Sequence, residues 1–171
     1  QLAHRASPPT RRDGPNGYGC TPQGPLAGHD REPNRGTKNR MRYRSLGNSG
    51  LEVSVIGLGT MMFGSWGDTD LRDCSLIVDA AIDAGINLID TADIYDDGRA
   101  EEILGRCLAD RRDKVVLATK FGNPMQGDPN RSGGSRHWVL TAVEESLRRL
   151  DTDRIDLYQM HRPDPYTPID E

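Results

Sequence analysis

Three short apolar runs share one design. They are Ile86-Asn87-Leu88-Ile89-Asp90, Val115-Val116-Leu117-Ala118-Thr119-Lys120 and Ile155-Asp156-Leu157-Tyr158-Gln159-Met160-His161. Each has strand length and enough apolar residues for a strand covered on both faces. Between them the apolar spacing changes from two to three and four. Cys74, Ile77, Val78, Ala81 and Ile82 form an i, i+3, i+4, i+7, i+8 stripe, the inward face of a helix. Asp68, Thr69 or Asp70 is placed to cap it, and Gly85 to end it. A second helix is predicted from about Ala100, with Ile103, Leu104, Cys107 and Leu108 facing in. A third follows a cap at Ser135, with Val139, Ala142, Val143, Leu147 and Leu150 inward.

Upstream, Tyr43 to Val55 reads as a β-hairpin around Gly47-Asn48-Ser49-Gly50, residues that tolerate the positive φ of a tight turn. Val53 to Leu58 reads as a first buried strand ending at Gly59-Thr60. The order is then hairpin, β-α-β-α-β-α-β, which implies a parallel sheet with right-handed crossovers. A doubly wound sheet and a (β/α)8 barrel both satisfy that order. Polar residues at successive strand ends favour the barrel, which assembles its site from many strands. Four strands are half of one, and Asp170-Glu171 stand where a fourth helix would begin. The expected fold is therefore the N-terminal half of a TIM barrel, preceded by a hairpin and lacking the C-terminal half.

Residues 1–40 have no such periodicity and are rich in Pro, Gly and Arg, the composition of a disordered tail. The domain boundary is placed at Met41, leaving 41–171 as the partial barrel. The tail holds seven basic and three acidic side chains, a net +4, so a chain of net −4 leaves −8 for the remainder. That acidic body, with an aromatic content of 5%, argues against a nucleic-acid surface. No apolar run approaches a membrane span, and no hydrophobic signal core opens the sequence. Cys20, Cys74 and Cys107 form no CxxC pair, and two of them fall on apolar helix faces. This is cytosolic usage, and a cytoplasmic protein is expected.

If the strands are parallel neighbours, Asp90, Lys120 and His161 reach one edge of one sheet, with Tyr95 on the adjoining loop. By alternation Leu88, Ala118 and Gln159 share their inward direction. Singly, each polar residue has an ordinary structural explanation: a turn-capping acid, a rim tyrosine, a solvated lysine, a structural histidine. Together they suggest an active site. One histidine and one acid with a tyrosine and a lysine do not make a usual zinc or iron centre, so no metal is expected. A phenol with pKa near 10 donates poorly at neutral pH, and a neighbouring ammonium favours its phenolate. A carboxylate would orient that ammonium, and an imidazole would position a carbonyl oxygen. Such a set protonates an alkoxide as it forms, which carbonyl reduction by hydride requires. The glycine-rich Gly57-Leu58-Gly59-Thr60-Met61-Met62-Phe63-Gly64 is not a dinucleotide fingerprint, because Met62 replaces its third glycine, nor a Walker loop, because Ser65 replaces its lysine. A backbone approach to a ligand stays open at Gly59-Thr60. The long Phe121–Gly134 loop has a length often associated with function.

From Met41 onward the sequence resembles the aldo/keto reductase family, over roughly the first half of its barrel. The matching motifs are Tyr43-Arg-Ser-Leu-Gly, Gly57-Leu-Gly-Thr, Asp90-Thr-Ala-Asp-Ile-Tyr95, Ala118-Thr-Lys120 and His161-Arg-Pro-Asp-Pro165. Gly133-Gly134-Ser135-Arg136 and Ser146-Leu-Arg-Arg-Leu150 are similar to the branch holding bacterial reductases and potassium-channel β subunits. The resemblance implies NADP(H)-linked reduction of small aldehydes or ketones. It implies Tyr95 as proton donor, Lys120 as its partner, Asp90 as partner of Lys120 and His161 as the substrate-orienting residue. It also implies a cofactor approached by Gly59, Thr60, Met61, Trp66 and Asp90. The alternative it implies is a cofactor-binding regulatory subunit, in which asparagine takes the place of His161; the histidine here tilts the expectation toward an enzyme. The family's remaining cofactor contacts come from the second half of its barrel, so a chain of this extent is expected to be inactive alone.

Overall fold

The computed structural model describes residues 41–67 and 70–171. The tail expected over residues 1–40, and Asp68 and Thr69 as alternative caps, lie outside the described residues.

The hairpin forms from β1 (Tyr43–Ser45) and β2 (Glu52–Ser54), paired antiparallel with Arg44 opposite Val53. Its Tyr43 hydroxyl donates to the Gly85 carbonyl at 2.7 Å, fastening it to the chain just beyond the first helix. Val53–Leu58 is not one buried strand. Val53 and Ser54 belong to the hairpin, Val55 and Ile56 lie in an exposed bend, and only β3 (Gly57–Gly59) joins the main sheet. Asn87 causes the break: its side chain accepts from the Ser54 N–H at 2.7 Å and donates to the Glu52 carbonyl at 2.9 Å. The Ser54 hydroxyl then donates to the Ile56 carbonyl at 2.6 Å, turning the chain before β3.

The main sheet is parallel, in the order β3-β4-β5-β6, with β4 (Leu88–Asp90), β5 (Val116–Phe121) and β6 (Leu157–Met160). Sequential neighbours pair directly, and Gly59, Asp90 and Ala118 stand side by side. Further along, Lys120 stands beside Gln159. Between the strands run α1 (Leu71–Asp83), α2 (Arg99–Leu108) and α3 (Arg136–Leu150). Asp70 caps α1 by accepting from the Asp73 N–H at 2.9 Å. Beyond its other end Gly85 takes φ +88°, and the Ile86 N–H returns to the Ala81 carbonyl at 2.9 Å, a Schellman closure that a side chain at Gly85 would strain. Ser135 caps α3, accepting from the Trp138 N–H.

Alternation divides the sheet's two faces. Ile89 and Leu117 are fully buried among Cys74, Val78, Leu104 and Leu108 of the helices. Burying an isoleucine or leucine completely contributes about 1.5–3 kcal/mol. A second cluster holds Phe121, Met125, Trp138 and Ala142, with the Tyr158 ring stacked on Phe121 at 4.8 Å. The buried line of α3 is Trp138, Ala142, Ser146 and Leu150, a strict i+4 row. Val143 and Leu147 of the predicted stripe are only half-buried. The helix is rotated toward α2, where Gly105 lets the backbone of Leu150 come close. Beneath that contact the fully buried Glu101 accepts from Arg149 Nε at 2.7 Å and from the Thr119 hydroxyl at 2.6 Å. No helix among the described residues is long and apolar enough to cross a membrane.

Candidate active site

Lys120 is the penultimate residue of β5, on the face away from the helices. Its ammonium donates to Asp90 Oδ2 at 2.6 Å, to the Thr91 carbonyl at 2.7 Å and to the Tyr95 hydroxyl at 3.3 Å. A lysine has three N–H donors, and all three are engaged. The Tyr95 oxygen accepts one of them, so its own proton is left to point elsewhere.

The β4 ladder continues past the strand end and holds the tyrosine's loop. Thr91 N–H donates to the Ala118 carbonyl and Asp93 N–H to the Lys120 carbonyl, both at 3.0 Å. On the other side the Thr60 N–H donates to the Asp90 carbonyl at 2.9 Å. After Tyr95 the chain turns through two left-handed aspartates, Asp96 at φ 51° and Asp97 at φ 53°, then Gly98 at φ 92°. Non-glycine residues adopt this conformation at a cost, and aspartate tolerates it better than most. It aims the Asp96 carboxylate at Ser65, whose N–H donates at 2.8 Å and whose hydroxyl donates as well. Those bonds hold the Asp96 carboxyl below its usual range. The loops after β3 and β4 are thereby clamped together, and the Trp66 ring stands edge-on to Tyr95 at 6.3 Å.

His161 follows β6 directly, its N–H donating to the Phe121 carbonyl at 2.8 Å. Its ring meets Tyr95 edge-to-face at 5.8 Å. Burial pushes its pKa below the ordinary value, Lys120 and Arg162 push the same way, and Asp90 opposes them, so the imidazole is neutral at pH 7. Gln159 reaches Asp90 Oδ1 at 3.4 Å, which places it on the face of Asp90 and Lys120 as the alternation requires.

The structure thus brings Asp90, Tyr95, Lys120 and His161 to one edge of the sheet. Around them the other candidate residues divide. Gly59 has open space where a Cβ would stand, and Met61 and Trp66 are about half exposed. Thr60 is fully buried: its hydroxyl and its N–H donate to the Asp90 carbonyl at 3.2 and 2.9 Å, and its own carbonyl accepts from the Phe63 N–H at 2.9 Å, so neither its side chain nor its backbone is open to a ligand.

The aldo/keto reductase family profile matches residues 55–171. The chain belongs to the aldo/keto reductase family. It is similar to aldo-keto reductase YhdN of Bacillus subtilis (strain 168), with 44% identity over 77% of this chain and 41% of that protein. A probable voltage-gated potassium channel subunit beta of Oryza sativa subsp. japonica is 42% identical over 77% of this chain and 40% of its own length. Among solved structures, the holo form of aldo-keto reductase AKR11C1 from Bacillus halodurans superposes with a TM-score of 0.68 at 43% identity, over 77% of this chain and 44% of that one. The chain therefore spans about 40% of the length of the curated relatives it matches. Its four parallel strands correspond to part of the family's barrel, and among the described residues the sheet is open.

Sequence reasoning missed four contributors to this candidate site of an aldo/keto reductase family chain. The Thr91 carbonyl binds Lys120, and Ser65 with Asp96 sets the Trp66 turn. Asn123, from the long loop after β5, places its side-chain amide 3.2 Å from His161 Nδ1. Only Asp96 had a visible clue, in the turn sequence Asp96-Asp97-Gly98. Behind the site, facing the helices, Asp93 is 1% exposed and neither carboxylate oxygen makes a hydrogen bond of good geometry among the described residues. Burial raises its pKa to about 7, and the Glu101 carboxylate adds to the shift.

Proposed function

We propose that this chain carries the proton-transfer wall of an NADP(H)-dependent reductase of small aldehydes and ketones. The observation that carries the reading is the Lys120 ammonium, bonded at once to Asp90, to the Thr91 carbonyl and to the Tyr95 hydroxyl. The Asp90 carboxylate and the Thr91 carbonyl hold the Lys120 ammonium aimed at the phenol. With the ammonium 3.3 Å from the Tyr95 oxygen, the negative charge left when the phenol passes its proton to the substrate oxygen is met by a positive one. The neutral His161 ring, edge-on to Tyr95, holds the carbonyl oxygen by a hydrogen bond and so orients it toward the same proton.

A nicotinamide, when bound, supplies the hydride. The rim beside Tyr95 suits such a ring: Gly59 has open space before it, and Met61 and Trp66 present exposed apolar surface. Gly59, Met61, Trp66 and Asp90 are the residues we assign to holding that end of the cofactor, with Thr60 buried behind them and bonded to the Asp90 carbonyl. The choice of NADP(H) over NAD(H) rests on the family. Cys74 and Cys107 are buried and outside any disulfide among the described residues, and burial pushes the Cys107 thiol up to about 11, which suits a reducing compartment such as the cytoplasm. A regulatory role like that named for the channel-subunit relatives is not adopted, because it gives no use to His161 beside a lysine-bonded tyrosine.

The test is Tyr95→Phe in the complete barrel, since four strands provide one wall of the site. NADPH oxidation with a generic aldehyde is expected to fall by about 10²–10⁴, with NADPH affinity nearly unchanged. Full activity in the variant overturns the assigned role.

A further inference from the structure

The long loop between β5 and α3 is built firmly around one residue that the proton-transfer scheme leaves unused. Gly122, at φ +106°, accepts from the Gly133 N–H at 2.9 Å. Three residues further on, the fully buried Met125 donates its N–H to the Arg131 carbonyl at 3.0 Å. Asn123 lies between these anchors, and its amide nitrogen stands 3.2 Å from His161 Nδ1. The backbone of His161 is held as well, its N–H donating to the Phe121 carbonyl.

A neutral imidazole has one proton and two nitrogens, and the nitrogen that receives a hydrogen bond is the one without it. We propose that Asn123 is a positioning residue that selects the His161 tautomer, its amide N–H donating to Nδ1 so that Nε2 carries the ring proton offered to a carbonyl oxygen. This rests on the reductase reading for its purpose but not for its test. The charged and titratable groups around the ring are Lys120 of β5, Asp90 of β4, Tyr95 on the loop after β4 and Arg162 next in sequence. The two cations disfavour an imidazolium, which keeps the tautomer choice relevant at pH 7. Lys120 already bonds both Asp90 and Tyr95, which leaves the loop amide to set the ring.

The experiment is nitrogen NMR of the 171-residue chain labelled at histidine, with His161 assigned by its loss in His161→Gln. At pH 7.5 the expected spectrum has an unprotonated Nδ1 and a protonated Nε2. Asn123→Ala should weaken the preference by roughly two- to tenfold, the bias of a single net hydrogen bond. Asn123→Asp should reverse it, because a carboxylate accepts from Nδ1–H, and should raise the His161 pKa measured in the same titration. A purely structural role for Asn123 would move neither tautomer nor pKa in Asn123→Asp, and that result overturns the proposal. A protonated Nδ1 in the parent chain overturns it without any variant. Turnover is not read, so loss of the reductase reading would leave these outcomes intact.

Discussion

Asp93→Asn should stabilise the chain, and the gain should grow with pH. Asp93 is an acid with both oxygens buried and poorly satisfied, close enough to Glu101 to feel its charge and close enough to Tyr158 to add to the upward push that burial gives that hydroxyl's pKa. Its own pKa stands at about 7 instead of 3.8. The folded state therefore binds this proton more tightly than the unfolded state does. Below about pH 4 both states are protonated and nothing is lost. As pH rises toward 7 the unfolded chain ionises first, and stability falls through that window. At about 1.4 kcal/mol per pH unit the full effect reaches a ceiling of about 4 kcal/mol by pH 8. Roughly a third of that is already felt at pH 5, and relaxation around the charge reduces the whole. Asparagine keeps the shape and the buried polar group and removes only the ionisation. Urea denaturation followed by the fluorescence of the buried Trp138 should show the variant's advantage growing by roughly 1–3 kcal/mol between pH 5 and pH 8. Comparing variant with parent at each pH cancels every other titrating group to first order. An advantage that stays flat with pH, or an asparagine variant equally destabilised at both values, would refute the reasoning. Either result would mean that the carboxylate is satisfied or ionised in its pocket.

Other expectations follow from single contacts. Lys120→Met acts on the same proton as Tyr95→Phe, so in the complete barrel the double variant should be little slower than the slower single one; additive losses, read as kcat, would separate the two residues. Gly105→Ala places a methyl 2.5 Å from the Leu150 carbonyl oxygen, against backbone that cannot step aside. It should cost about 1–3 kcal/mol in a chemical melt, and a neutral result would show that α2 and α3 slide freely. Deleting residues 1–40 should leave the melting temperature unchanged; a fall of several degrees would move the domain boundary away from Met41.

What the sequence made legible is what periodicity encodes. The parallel strands and helices declared themselves because Ile89 and Leu117 must face Val78 and Leu104 across a helix-sized spacing. Asp90, Lys120 and His161 were readable for the same reason, since a polar residue ending an apolar run has only the strand's edge to occupy. Glu101 was not, because a charged residue in a helix reads as solvent-facing unless its partner is known. That partner, Arg149, is 48 residues away. Val53 to Leu58 misled because its apolar residues suit one strand equally well, and the break is made by Asn87 from outside. In the site, the Thr91 carbonyl left no trace because a backbone oxygen has no residue identity. Asn123 left none because a loop amide looks the same whether it meets water or an imidazole.

The clamp between Ser65 and Asp96 has a consequence for how this rim can change. Gly64, at φ +114°, has no room for a Cβ, which would run into the Asp96 carboxylate and approach Arg99 Cγ at 3.4 Å. Ser65 is committed to that same carboxylate, while Trp66, the next residue, is half exposed. Three adjacent positions therefore differ sharply in their freedom to vary. A library aimed at new substrates would waste its diversity on Gly64 and Ser65, where most replacements loosen the turn itself. At Trp66 a change of side chain alters the wall facing Tyr95 and leaves the turn that presents it intact.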